Sequence, residues 1–205
     1  MKTLKTISAL AALLQPAVAN LDVVTLFAKA NAYIQEASAT LVLGDIPVSN
    51  NGDIALWSAI MMQNEASFLQ GVTQNSPEGL GYCSNLGNKW CNFAYALIGS
   101  EAKNGTPVKA APGSRVKTHF STVSTSKGEH GEIFYISIEC AAGTCSTAPA
   151  HSWEDVSIVL STADASFGQT GGWDQGATGG DMSTPDGGKT WEFTTLQIPA
   201  TDVQH

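Results

Sequence analysis

Two strand-like runs joined by a three-residue polar connection occupy Ile54 to Gln74, IALWSAIMMQNEASFLQGVTQ, and this hairpin constrains the chain more than any other stretch. Residues 55 to 62 are almost continuously apolar, the pattern of a strand buried on both faces, and Gln63-Asn64-Glu65 supplies the turn. From Ser67 to Gln74, Phe68, Gln70, Val72 and Gln74 point one way and Leu69, Gly71 and Thr73 the other. Gly71 leaves room for another backbone or a ligand to approach. A lone Gln on the open face of an antiparallel sheet is ordinarily a solvated residue, so Gln70 needs a partner to become more than that.

Further strands follow at short intervals. Lys89 to Ile98 carries Trp90, Phe93 and Tyr95, either core aromatics or part of a binding face. Ala111-Pro112-Gly113 turns into an alternating strand, Arg115 to Phe120. Glu132 to Glu139 sets Phe134, Ile136 and Ile138 toward the core. Ile133, Tyr135, Ser137 and Glu139 then face the other way, while Glu132 has core parity. In Trp153 to Leu160, Val156, Ile158 and Leu160 read as inward, Trp153, Asp155 and Ser157 as outward. Pro185 to Lys189 is a hairpin signal before a last strand, Thr190 to Ile198. Short strands separated by turn signals predict an all-β antiparallel sandwich, not an α/β fold.

At the beginning, Met1 to Ala19 reads as a secretory leader: Lys2 and Lys5, the apolar run Ile7 to Leu14, then Ala17-Val18-Ala19 as cleavage site. That run is too short to span a bilayer. From Asn20 to Leu43, Val23, Phe27, Ala30, Ile34 and Ala37 share one helical face. A short N-terminal helix is expected over 20–44, packed on the sandwich or removed as a pro-segment, with the β domain at 45–205. Loss of two lysines takes the formal charge from −8 to −10. Such a balance argues against nucleic acid or an anionic membrane as partner and suits an extracellular, monomeric protein in an acidic medium.

Four cysteines in a chain of this kind predict two disulfides; of three pairings, the spacing favours the local loops Cys83–Cys91 and Cys140–Cys145 over a metal site, for which no CxxC or His-rich pattern exists. Asn104-Gly105-Thr106 is a glycosylation sequon followed by Pro107. Phe167 to Asp181 is a glycine-rich loop. Asp174, Asp181 and Asp186 lack EF-hand spacing, and neither metal nor cofactor is expected. His119, His130, His151 and His205 have no GxSxG or reactive cysteine to serve, which excludes a serine or cysteine hydrolase.

Trp57, Phe68-Leu69-Gln70-Gly71-Val72 and Ala111-Pro112-Gly113-Ser114-Arg115-Val116 together resemble the fungal glutamic peptidases, the eqolisins, over about residues 55 to 120. The resemblance implies a concanavalin A-like jelly roll and hydrolysis of peptides in acid. Gln70 would be the catalytic amide, orienting water and donating to the oxyanion, and a Glu on a neighbouring strand the general acid/base. The family's acidic residue in its Trp-Val-Gly-Ile-Asp strand is absent from Trp57-Ser58-Ala59-Ile60-Met61, and no Glu-Trp pair exists, Trp153 following Ser152. Glu139, by its parity, is the preferred acid and Glu132 the second. The alternative is a non-catalytic secreted sandwich binding glycans or a cell-wall or host component through Trp57, Trp90, Tyr95, Tyr135 and Trp153. A polysaccharide lyase or hydrolase on the same fold is a third reading.

Overall fold

Alternation of apolar and polar side chains carries through into strands in the computed structural model, which describes residues 20–121 and 123–203. In chain order these are β1 Asn20–Phe27, β2 Ile34–Val42, β3 Asn51–Met62, β4 Ser67–Asn75, β5 Trp90–Ile98, β6 Glu101–Asn104, β7 Val108–Ala110 and β8 Arg115–Phe120. They continue with β9 Gly131–Thr144, β10 Thr147–Ala148, β11 His151–Leu160, β12 Gly172–Trp173, β13 Thr178–Gly179, β14 Thr190–Ile198 and β15 Thr201–Asp202. All pairings among them are antiparallel. One layer runs β12-β1-β9-β3-β4-β5 with β6 and β7 at its edge, the other β13-β14-β11-β2-β8. The two join at one corner, where Ile34 pairs with Gly131.

Between the layers lies the main core, with Leu56, Ile60, Phe134, Ile136 and Ile138 facing Leu41, Val156, Ile158, Phe193 and Leu196. Gly71 marks how closely the layers approach: a Cβ there would meet Thr118 of β8, so the missing side chain makes room for the opposite layer and not for a ligand. Both local disulfides form, Cys83–Cys91 tying the long loop after β4 to β5 and Cys140–Cys145 closing the end of β9. Gln63–Glu65 makes a 3-10 turn, as its polar composition predicts.

Two expectations are corrected here. Residues 20–44 form β1 and β2, not a helix, and both strands are integral to the sheets, so the sandwich begins at Asn20 and not at residue 45. Val23, Val24, Thr25, Ile34, Thr40 and Val42 are β-branched and favour strands, and a turn at Ala28–Tyr33 interrupts the helical stripe. The second concerns the aromatics assigned to a binding face. Trp90 and Trp153 are fully buried, Trp90 donating its indole N–H to Gly44 O at 3.0 Å. Trp153 turns inward because the strand bulges at Asp155, whose φ is 50°. The extra residue reverses the alternation, so that odd Trp153 and even Val156 both face the core. The leader expected over Met1–Ala19 lies outside the described residues.

Trp153→Ala should therefore lower stability by about 3 to 5 kcal/mol, read as a fall in the urea midpoint. A loss within the range of surface substitutions would contradict its place in the core.

Candidate functional site

On the outer face of the first layer, β3 runs between β4 and β9, and cross-strand register sorts the side chains into three rows. The first contains Tyr95, Gln70, Ala59 and Tyr135, the second Phe93, Val72, Trp57 and Ser137, the third Cys91, Gln74, Ala55, Glu139 and Asn20. Residues directly opposite share a face, so all three rows lie on the outer side of this layer, and Tyr95, Gln70, Phe93, Val72, Trp57, Gln74, Ala55, Glu139 and Asn20 from them line one groove. Its volume is about 490 Å³, and its walls include Asp53, Trp57, Gln70, Gln74, Tyr95 and Glu139. Ala55 helps to make the groove: its small side chain on the central strand leaves space that a larger residue would fill.

Trp57 forms the floor. It is almost fully buried in a cluster with Val72 and Phe93, with the rings of Phe68 and Tyr135 edge-on to it at 5.4 and 6.3 Å. Its indole N–H donates to Glu139 Oε2 at 2.9 Å, so the floor also orients the acid. Tyr95 lines the groove with it, whereas Tyr135 packs against the Trp57 cluster without being among the residues that line the groove.

Gln70 and Glu139 both belong to the groove, but the pairing between them is not formed. They lie on the outer rows, four residues apart along β3, roughly 14 Å at the rise of an extended strand. Trp57 stands between them. Across Ala59 from Gln70 is Tyr135, not an acid, and the Gln70 amide has no hydrogen-bond partner among the described residues. Glu132 is exposed at the start of β9, outside the groove.

A second Gln occupies the row of Glu139. Gln74 is buried opposite Ala55; its amide N–H donates to Asp53 Oδ2 and its carbonyl accepts from the Tyr82 N–H at 2.9 Å. It thereby fastens the disulfide loop to an acid that sequence reasoning passed over. Asp53 is buried, and its Oδ1 has no partner. Burial pushes Asp53 up to about 7, against the pull of the Gln74 hydrogen bond, and the charge of Glu139 adds to the rise. Burial raises Glu139 as well, opposed by the Trp57 N–H. The acid end of the groove thus holds two carboxyls whose environments favour protonation. The one signal available beforehand was parity: Gln70 and Gln74 share a face, but the acid that Gln74 meets is set by the register of the β3–β4 hairpin, which brings Asp53 alongside, and Glu139 joins them only through the pairing of β3 with β9.

These shifts have a direction in stability. A folded-state value above the unfolded one means that Asp53 contributes fully below pH 3.8 and that this contribution is lost as pH rises toward about 7. Buried His151, lowered to about 4, acts with the opposite sign, losing stability as pH falls from 6.5. Urea unfolding of the parent beside Asp53→Asn isolates the first effect: the parent should lose a few kcal/mol relative to the variant between pH 4 and 7. Parallel stability curves would contradict it.

No protein-family model matches the chain, and no curated protein does. Among solved structures, scytalido-glutamic peptidase with a peptide-based transition state analog is similar at 13% identity and a TM-score of 0.53, covering 90% of this chain and 100% of that one. SCP-B, a member of the eqolisin family in complex with a tripeptide, Ala-Ile-His, is similar at 13% identity and a TM-score of 0.46, with the same coverage. At that identity the likeness is one of fold: the chain has the sandwich of the glutamic peptidases.

Proposed function

We propose that the protein is a secreted, acid-active endopeptidase that works at the Asp53–Glu139 end of the groove. The observation that carries this reading is the buried carboxyl of Asp53, raised to about 7, and the half-buried carboxyl of Glu139 beside an apolar floor, on the eqolisin-like sandwich. Two carboxyls held apart in proton affinity can divide the roles of acid and base. Ionised Glu139 takes a proton from water as the water oxygen adds to the scissile carbonyl carbon, while neutral Asp53 donates a hydrogen bond to the developing oxyanion. The C–N bond then breaks, and the proton held by Glu139 passes to the leaving nitrogen. Gln74 positions Asp53 without touching substrate. Gln70, two rows away and with no hydrogen-bond partner among the described residues, binds the backbone of the bound peptide.

An extended peptide suits the space. The distance from the Gln70 row to the Glu139 row is that of about four extended residues, and Trp57, Phe68, Val72 and Phe93 offer an apolar wall between. Glycan binding is less well supported, since Trp90 and Trp153 are in the core and Trp57 is itself almost fully buried. Secretion rests on the leader sequence and the two disulfides. No helix among the described residues is long and apolar enough to cross a membrane.

Cleavage of a denatured protein substrate between about pH 3 and 7 tests the reading. The parent should be active where Glu139 is ionised and Asp53 is not, giving a bell-shaped profile that falls on its alkaline side near 7. Glu139→Gln should lose about 10² to 10⁴ in kcat, and Gln70→Ala should raise KM with little effect on kcat. An inactive parent, folded across the whole range, would overturn the enzyme and leave a peptide-binding groove.

A further inference from the structure

The groove has acids but no resident cation. No Lys, Arg or His lines it among the described residues. The charged and titratable groups facing Glu139 from the surrounding strands are Asp53 on β3, Asp22 on β1, Tyr95 on β5 and Tyr82 of the disulfide loop. Asp22 accepts the Ser137 hydroxyl at 2.6 Å, and Asp53 leaves one buried oxygen without a partner. Lys109, at the far end of the third row beyond Cys91, is spent on the Asn85 carbonyl at 2.8 Å. A buried carboxyl and a half-buried one with no positive group beside them among the described residues form a costly arrangement.

One residue at this end of the groove has an unusual place in the chain. Asn20, the first residue of β1, lies directly across from Glu139 and lines the groove, and it is the residue that immediately follows the Ala17-Val18-Ala19 cleavage signal. Cutting that peptide bond adds water across it: Ala19 leaves with a carboxylate, and Asn20 keeps an α-amino group, ordinarily protonated below about pH 7.7 to 8.0.

We propose that removal of the leader after Ala19 delivers the α-ammonium of Asn20 to the acid end of the groove, where it is the positive partner of Glu139, so that processing completes the site. The inference rests on the secretion proposed above, but not on hydrolysis. In the uncut chain the same nitrogen is a neutral amide. In the cut chain it brings a positive charge beside the two acids, favouring ionised Glu139 at lower pH and drawing toward the groove's end any carboxylate of a bound peptide. The N-terminus is then a positioning group, fixed by its pairing in β1, and its effect on Glu139 is separate from any effect on folding.

The test uses the full chain secreted from a eukaryotic host, beside a variant with two glutamines inserted between Ala19 and Asn20, with both N-termini read by intact mass. Carboxyl ¹³C resonances are followed through pH, and Glu139→Gln identifies the signal of Glu139. The secreted parent should begin at Asn20, and its Glu139 should titrate about one pH unit below that of the extended form, with the α-amine titrating above its ordinary range. Coincident Glu139 titrations in the two forms, or a parent whose N-terminus is not Asn20, would overturn the proposal. No turnover is required, so an inactive groove with shifted titrations would defeat the hydrolase reading alone.

Discussion

Burial of β3 on both faces is the constraint on which the rest of the molecule depends. Its inner face, Ile54, Leu56, Ser58 and Ile60, is sealed against the second layer; its outer face, Ala55, Trp57 and Ala59, must be covered by something other than that layer. Part of that cover is the aromatic cluster of Phe68, Phe93, Tyr95 and Tyr135, and part is the disulfide loop. What the cover leaves open, above Ala55 and Trp57, is the groove. A functional surface on this fold is thus the unfilled remainder of a packing problem.

Placing acids beside that surface has electrostatic consequences that follow from the same burial. Asp53 sits where Gln74 can hold it and water cannot surround it, and Glu139 leans on the indole N–H of the buried floor. Both hydrogen bonds favour the ionised forms, yet desolvation outweighs them in each case. The result is a polar end joined by a tryptophan floor to an amide at the other end, an arrangement with a direction along which a peptide chain can be read.

Much of this was legible in local pattern. The hairpin of β3 and β4, the limits of β8 and β14, the local disulfides and the outward set Tyr135, Ser137 and Glu139 all follow from period-two alternation and turn chemistry, which act over a few residues. Three features depended on more than local pattern. A bulge at Asp155 reversed the alternation of β11 and took Trp153 inside; Asp tolerates a positive φ better than most residues, but an Asp within an alternating run does not by itself mark a bulge. The apolar spacing of residues 20–43 fits a helix on paper, but β1 and β2 are held by pairings with β9, β11 and β8, each distant in sequence. Gln70 drew attention through its motif, whereas Gln74 acquires its partners from the register of the β3–β4 hairpin, which sets Asp53 beside it, and from the disulfide loop, which brings the Tyr82 N–H. Local propensity is overridden in such places by long-range pairing.

The central claim is that a peptide lies along β3 between Gln70 and the acid pair, and amide chemical-shift mapping of the ¹⁵N-labelled protein with an extended peptide at mildly acid pH tests it most directly. The account predicts perturbations confined to the outer rows and floor of the groove, from Phe68 to Gln74, from Ala55 to Ala59 and from Tyr135 to Glu139. Perturbations gathered instead around Trp173 and Trp191, or none at saturating peptide, would contradict it.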